Sequence, residues 1–126
     1  MFNIDYNRRK PINEQLIDQV ITYVMTGVLK AGEWLPSVRQ LSTDLSINVN
    51  TIQKAYSELE RRNIIITVKG KGSFITEDLK ILEDYMANNV ISNLKTVVSD
   101  AKLASWSLEK LNQETNNLWN EGTKND

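Results

Sequence analysis

At 126 residues, 40% of them hydrophobic and 25% charged, the chain is long enough for one compact domain with a helical extension and too apolar for wholesale disorder. It has neither cysteine nor histidine, which removes disulfides, thiol nucleophiles, thiolate metal sites, the commonest general base and the commonest zinc ligand. A net charge of −1 hides a basic middle (seven cations against four carboxylates in residues 30–76) and an acidic end (five against nine in residues 77–126), so an anionic partner is expected at the middle.

The N-terminal MFNIDYNRRK has no apolar core and does not read as a secretory signal. Apolar runs such as Ile64-Ile65-Ile66 fall far short of the ~20 residues of a membrane span. A cytoplasmic protein with no membrane partner, no metal, no cofactor and no catalytic centre is expected. Residues 12–26, INEQLIDQVITYVMT, place Ile12, Leu16, Val20 and Tyr23/Val24 at three- and four-residue steps. This predicts an amphipathic helix introduced by Pro11 and stopped at Gly27. A loop turning at Gly32 follows, with Trp34-Leu35 extended before Pro36. Ser37 with Gln40 has the spacing of a capping box, opening a second helix that buries Leu41 and Leu45. After a turn at Ser46-Ile47, Asn48 can cap a third helix running to about Arg62, with Ile52, Ala55, Tyr56 and Leu59 inward. Asn63 stands where a left-handed residue would end it.

Two β-branched runs flanking Lys69-Gly70-Lys71-Gly72 then predict a hairpin. From about Asp78 the helical period returns, with Leu79, Leu82, Met86, Val90, Leu94 and Val97/Val98 in one stripe. A break at Ala104-Ser105-Trp106 precedes a last helix capped by Ser107 and carrying Leu108, Leu111, Leu118 and Trp119, and the tail EGTKND is expected to fray. The predicted fold class is mainly α with a small β-hairpin: a winged helix-turn-helix over residues 1–76, followed by two dimerisation helices over residues 77–126.

Two helices joined by a short turn, the second tipped by small polar residues, suit a helix-turn-helix whose second helix enters the DNA major groove N-terminus first. Asn48, Val49, Asn50 and Thr51 are mediocre helix formers. Their weakness makes sense if the tip reads bases, because Asn and Gln pair bidentately with adenine edges and Thr offers a hydroxyl and a methyl. The hairpin fits a wing whose glycines let backbone approach DNA and whose Lys69 and Lys71 meet phosphates.

The run LPSVRQL, the helix NVNTIQKAYSELE and the closing GKGSF together resemble the winged-helix domain of the GntR family of bacterial transcription regulators over roughly residues 10–76. The short two-helix extension resembles the YtrA subfamily, which lacks a large effector domain and dimerises through those helices. The resemblance implies that Arg39, Asn48, Asn50, Thr51, Gln53 and Lys54 contact a double-stranded operator, with Lys69, Gly70 and Lys71 in the wing. It also implies a homodimeric repressor on an inverted repeat, controlling an operon such as that of an ABC transporter. Val49 departs from the proline or polar residue many relatives carry, and Asn63 replaces a common glycine that Asn can imitate.

Simpler roles stand beside these. Asn48 can serve as a cap, Arg61 and Arg62 as helix-end cations answering the dipole, and Tyr56 as core with its hydroxyl at the surface. Leu82, Met86, Val90, Leu94 and Val97 form a stripe too long for one short helix to cover, so a second copy is the expected cover. Tyr85, Met86, Trp106 and Trp119 are candidates to line a pocket for a small-molecule effector between subunits. The alternative to a DNA-binding regulator is a winged-helix module for protein–protein contact, docking through the acidic helical stripe.

Overall fold

The computed structural model describes residues 2–125, with side chains as far as residue 122. The order is α1 (Ile12–Met25), α2 (Val38–Leu45), α3 (Val49–Arg61), β1 (Ile65–Val68), β2 (Gly72–Ile75), α4 (Leu79–Leu103) and α5 (Leu108–Asn125). The chain divides into two compact units, Met1–Met86 and Ala87–Asp126.

The first unit is built on one apolar core. Leu16, Ile17, Val20 and Ile21 of α1 meet Leu41 of α2, then Ile52, Ala55, Tyr56 and Leu59 of α3, with Ile64, Ile65 and Ile75 closing the hairpin side. The inward faces of α1 and α3 follow from their three- and four-residue apolar steps. Leu45, expected in the core, is only half-buried, whereas Ile47 of the turn is buried. Leu82 and Tyr85, from the first turns of α4, pack against the same core. The first compact unit therefore extends past the hairpin to Met86, because those turns of α4 lie with it.

Chain reversals use left-handed residues. Ser46 (φ 54°), Asn63 (φ 63°) and Ser105 (φ 62°) end α2, α3 and α4. Asn63 supplies the turn with less steric cost than most side chains, through its short polar group. Ser37 caps α2 by accepting from the Gln40 amide at 3.0 Å, but the reciprocal half of the capping box is not made. The Gln40 side chain donates forward to Asp44 Oδ1 at 2.7 Å instead. The expected fray at Glu121 is not a break, since α5 continues to Asn125; Asp126 lies outside the described residues.

Strands β1 and β2 pair antiparallel, Ile65 opposite Ile75 and Val68 opposite Gly72. The segment before α2 also joins them. Leu35 N donates to Ser73 O at 2.8 Å, Ile75 N to Glu33 O at 2.9 Å, and Trp34 bridges Phe74 with their rings 5.0 Å apart. Thus β2 is flanked on both sides, and the wing is braced from the loop that precedes the helix-turn-helix. In the second unit, Ser107 accepts from the Lys110 amide at 3.0 Å to cap α5, and the Lys110 ammonium lies 5.5 Å from the centre of the Trp106 ring.

Candidate nucleic-acid interface

The α2–turn–α3 geometry is set by short-range bonds. Ser42 Oγ donates to Ile47 O, and Ile47 N donates to Ser42 O at 3.1 Å, so the turn is pinned to the last part of α2 from both directions. Asn48 then caps α3, its Oδ1 accepting from the Asn50 amide at 2.7 Å. One side-chain oxygen is occupied by this cap, which gives Asn48 the structural role that its position suggested. Asn50 and Gln53 are exposed and Thr51 is half-buried at the tip. Gln53 donates to Ser57 Oγ at 3.1 Å, one turn further along.

A cleft of about 460 Å³ separates the recognition helix from the wing. Gln53, Tyr56 and Glu60 line one side; Thr67 through Ser73, including Lys69, Gly70 and Lys71, line the other; and Pro36-Ser37-Val38 closes the end. Gln53 and the three wing residues picked out by the sequence therefore face a common space. Lys54 does not. It lines a shallow groove with Asn13, Glu14 and Ile17 of α1, on the other flank of α3. Arg39 is exposed at the start of α2 and, like Lys69 and Lys71, makes no side-chain ion pair among the described residues.

The wing glycines serve chain direction. Gly70 (φ +79°) turns the hairpin with open space where a Cβ would go, and Gly72 (φ +118°) lies beneath the Trp34 ring. A side chain at either position would be strained by the backbone alone. At the base of the cleft the Tyr56 hydroxyl donates to Pro36 O at 2.6 Å, and burial pushes its pKa up to about 12. The hydroxyl is thus tied into the protein, whereas the sequence had placed it at the surface.

Arg61 and Arg62 are engaged beyond a simple interaction with the helix dipole. Arg61 makes a two-pronged bond to Glu58, at 2.9 and 2.6 Å, and Arg62 Nε donates to the same carboxylate at 2.9 Å. Arg62 also donates to the Tyr85 hydroxyl at 2.9 Å, linking the end of α3 to α4. Bonds from Arg61 first, then Arg62, hold the Glu58 carboxyl down at about 2 against an ordinary 4.5. A carboxylate depressed in the folded state contributes stability above its unfolded pKa and loses it as pH falls toward the folded value. The unfolding midpoint of Glu58→Gln is therefore expected below that of the parent at pH 7, with the gap closing between pH 4.5 and 2. A gap constant across that range in thermal melts would show that the network contributes nothing.

The four side chains considered for an effector pocket do not share one cavity. Tyr85 and Met86 line a space of about 180 Å³ in the first unit, with Ile21, Val24, Ile64 and Leu82 among its walls. Trp106 lines another of about 240 Å³ in the second unit, with Val97, Ala101 and Leu111. Trp119 is exposed on α5 and borders neither cavity. Among the described residues no cluster of carboxylates is gathered for a metal ion, and no helix is long and apolar enough to cross a membrane.

A polar helix tip beside a lysine-bearing hairpin, on a three-helix core, defines a winged helix-turn-helix DNA-binding protein. The sequence comparison makes the class specific: residues 12–75 match the bacterial regulatory proteins of the gntR family. The chain belongs to that family, whose members are DNA-binding transcription regulators and not enzymes. It is 41% identical over 114 residues to the HTH-type transcriptional repressor YtrA of Bacillus subtilis, spanning 90% of this chain and 88% of that one. Among solved structures, a GntR family transcriptional regulator from Listeria monocytogenes superposes with a TM-score of 0.79 at 34% identity, over 89% of this chain and 98% of that one. A transcriptional regulator from Oenococcus oeni superposes with a TM-score of 0.80 at 31% identity, over 94% and 99% of the respective chains.

Proposed function

We propose that the protein is a homodimeric transcriptional repressor that acts in the cytoplasm on an inverted-repeat operator upstream of an operon such as that of an ABC transporter. The observation that carries this reading is the cleft that puts Gln53 opposite Lys69-Gly70-Lys71, beside a recognition-helix tip with Asn50 exposed. Base-reading groups and phosphate-binding groups are thereby presented on adjoining elements, as a specific DNA complex requires. Arg39, at the first turn of α2, supplies a further cation for phosphate or guanine, and Asn48 and Thr51 complete the tip. Lys54, on the far flank, is assigned to the DNA backbone.

Support for a repressor comes from the Bacillus subtilis relative, a transcriptional repressor that aligns over most of both chains. Support for a dimer comes from α4. It has no buried residue, and Met86, Val90, Leu94 and Val97 are all exposed along it, with Ile91 beside them, while Leu82 and Val98 are half-buried. Two-fold symmetry would pair this face with itself and set two recognition helices about one DNA turn apart.

Footprinting on the promoter region of the protein's own gene tests the reading directly: protection of two half-sites related by a dyad is expected, and uniform weak protection would overturn it. The wing has a separate signature. Lys69→Ala and Lys71→Ala are each expected to weaken operator and random duplex alike and to flatten the dependence of log K on log salt by about 0.9 per lost phosphate contact. An unchanged salt slope would remove the wing lysines from the interface.

A further inference from the structure

We propose a second phosphate-binding element on the flank of the recognition helix away from the wing: the N-terminal loop carrying Arg8 and Arg9. It rests on the DNA-binding function of the winged helix and adds a contact that neither the helix-turn-helix nor the wing contains.

The loop is a built feature. Gln15 of α1 is almost fully buried, and its side-chain amide donates to Asp5 O and to Lys10 O, both at 2.9 Å, while its carbonyl accepts from Asp5 N at 3.0 Å. One side chain thus fastens both ends of residues 5–10. Within the loop, Asn7 N donates to Asp5 Oδ1 at 2.9 Å, which tightens the turn. Arg8 and Arg9 stand between the two fastened ends, exposed, and neither side chain makes an ion pair among the described residues. Lys10 is different, because its ammonium is paired with Asp18.

Two anchors locate the loop between the end of α2 and the Lys54 flank of α3. The Tyr6 hydroxyl donates to Leu45 O at 3.3 Å, at the end of α2 and just before the turn that leads into Asn48. On the other side, Asn13, Glu14 and Ile17 share a groove with Lys54, Ser57, Glu58, Arg61 and Arg62, so the first turns of α1 run beside the middle and C-terminal part of α3. The chain between Tyr6 and Asn13 therefore runs from the end of α2, just before the recognition helix, to the flank of α3 where Lys54 lies. Gln53 faces the wing from the other flank.

The partner is the sugar–phosphate backbone. A closed loop of six residues cannot thread into a groove as an extended arm does, and Gln15 prevents it from opening. Two guanidiniums held at a loop apex suit phosphate oxygens, which they bind with paired N–H donors. DNA seated on α3 would then be held on both sides, by Lys69 and Lys71 through the wing and by Arg8 and Arg9 through the loop.

The test measures binding of the full-length parent, of Arg8→Gln/Arg9→Gln, and of Lys10→Gln to a labelled duplex containing the protein's own promoter and to a random duplex, over a salt series. The double variant is expected to bind both duplexes about tenfold more weakly near 0.1 M salt, with the log–log slope reduced by roughly 1.8, or 0.9 for each phosphate. Lys10→Gln is expected to keep the parental slope. Thermal melts should coincide, since the replaced guanidiniums are exposed. Parental slope and affinity in the double variant would overturn the loop contact alone. Failure of the parent to bind either duplex would overturn it together with the DNA-binding function on which it rests.

Discussion

Val90→Asp combined with Leu94→Asp is expected to convert the protein from a dimer to a monomer in sedimentation and to weaken binding to a two-half-site operator by ~100-fold or more. In the single chain Val90 is 61% exposed, Leu94 50% and Val97 46%, a row at four- and three-residue steps on one face of α4. Each such side chain gains roughly 1.5–3 kcal/mol when fully buried, so a row of them supplies an association surface. A carboxylate in that row would have to be desolvated without a partner, which costs more than the lost apolar contact. The effect on DNA is larger than the effect on one half-site, because joining two reading heads makes the second binding event intramolecular, a gain of ~10²–10⁴. Binding to a single half-site should change little. A parent that sediments as a monomer at micromolar concentration, or a double variant that stays dimeric, would remove α4 as the interface.

The second large effect is one of discrimination. Asn50→Ala or Gln53→Ala is expected to cost ~1–3 kcal/mol on the operator and almost nothing on random duplex, because an amide that pairs with a base edge contributes only where that base is present. Neither change should destabilise the fold: both side chains are exposed, and Gln53 bonds only to the exposed Ser57 one turn along α3 among the described residues. Competition binding against duplexes substituted at each position would identify the base read. Equal losses on operator and random DNA would place these residues on the backbone and leave the reading to others.

Features governed by local physics were legible in the sequence. The inward face of α3, the cap at Asn48, the left-handed Asn63 and the glycine hairpin each depend on residues within a turn or two, and the structure contains all of them. Contacts between distant segments were not legible. Nothing in the spacing of Trp34 announces that it bridges Phe74, nor that β2 is bonded on both edges. Gln15 sits at a position that the helical pattern leaves ambiguous, and its burial is explained only by three backbone groups brought to it by an N-terminal segment with no strong pattern of its own. The Glu58–Arg62 spacing of four residues was a readable signal for an ion pair, whereas the Tyr85 hydroxyl that completes the group comes from another element. At the candidate interface the sequence proposed the residue types, but the separation of Gln53 and Lys54 onto different flanks needed the cleft and the groove to be seen.

The pairing of Glu58 with both Arg61 and Arg62 has a kinetic consequence. These two cations stand about 16 Å along α3 from Asn50, at ~1.5 Å per residue, which exceeds a Debye length of ~8 Å in physiological salt. Left bare, they would draw a passing polyanion to the wrong end of the helix and slow the search for a productive approach. The carboxylate between them cancels part of that pull, so the unpaired charge on Arg8, Arg9, Arg39, Lys54, Lys69 and Lys71 would weigh more in the field an approaching duplex meets. On the proposed DNA-binding reading, the molecule would be turned before contact, and a larger share of encounters would begin with the reading end forward.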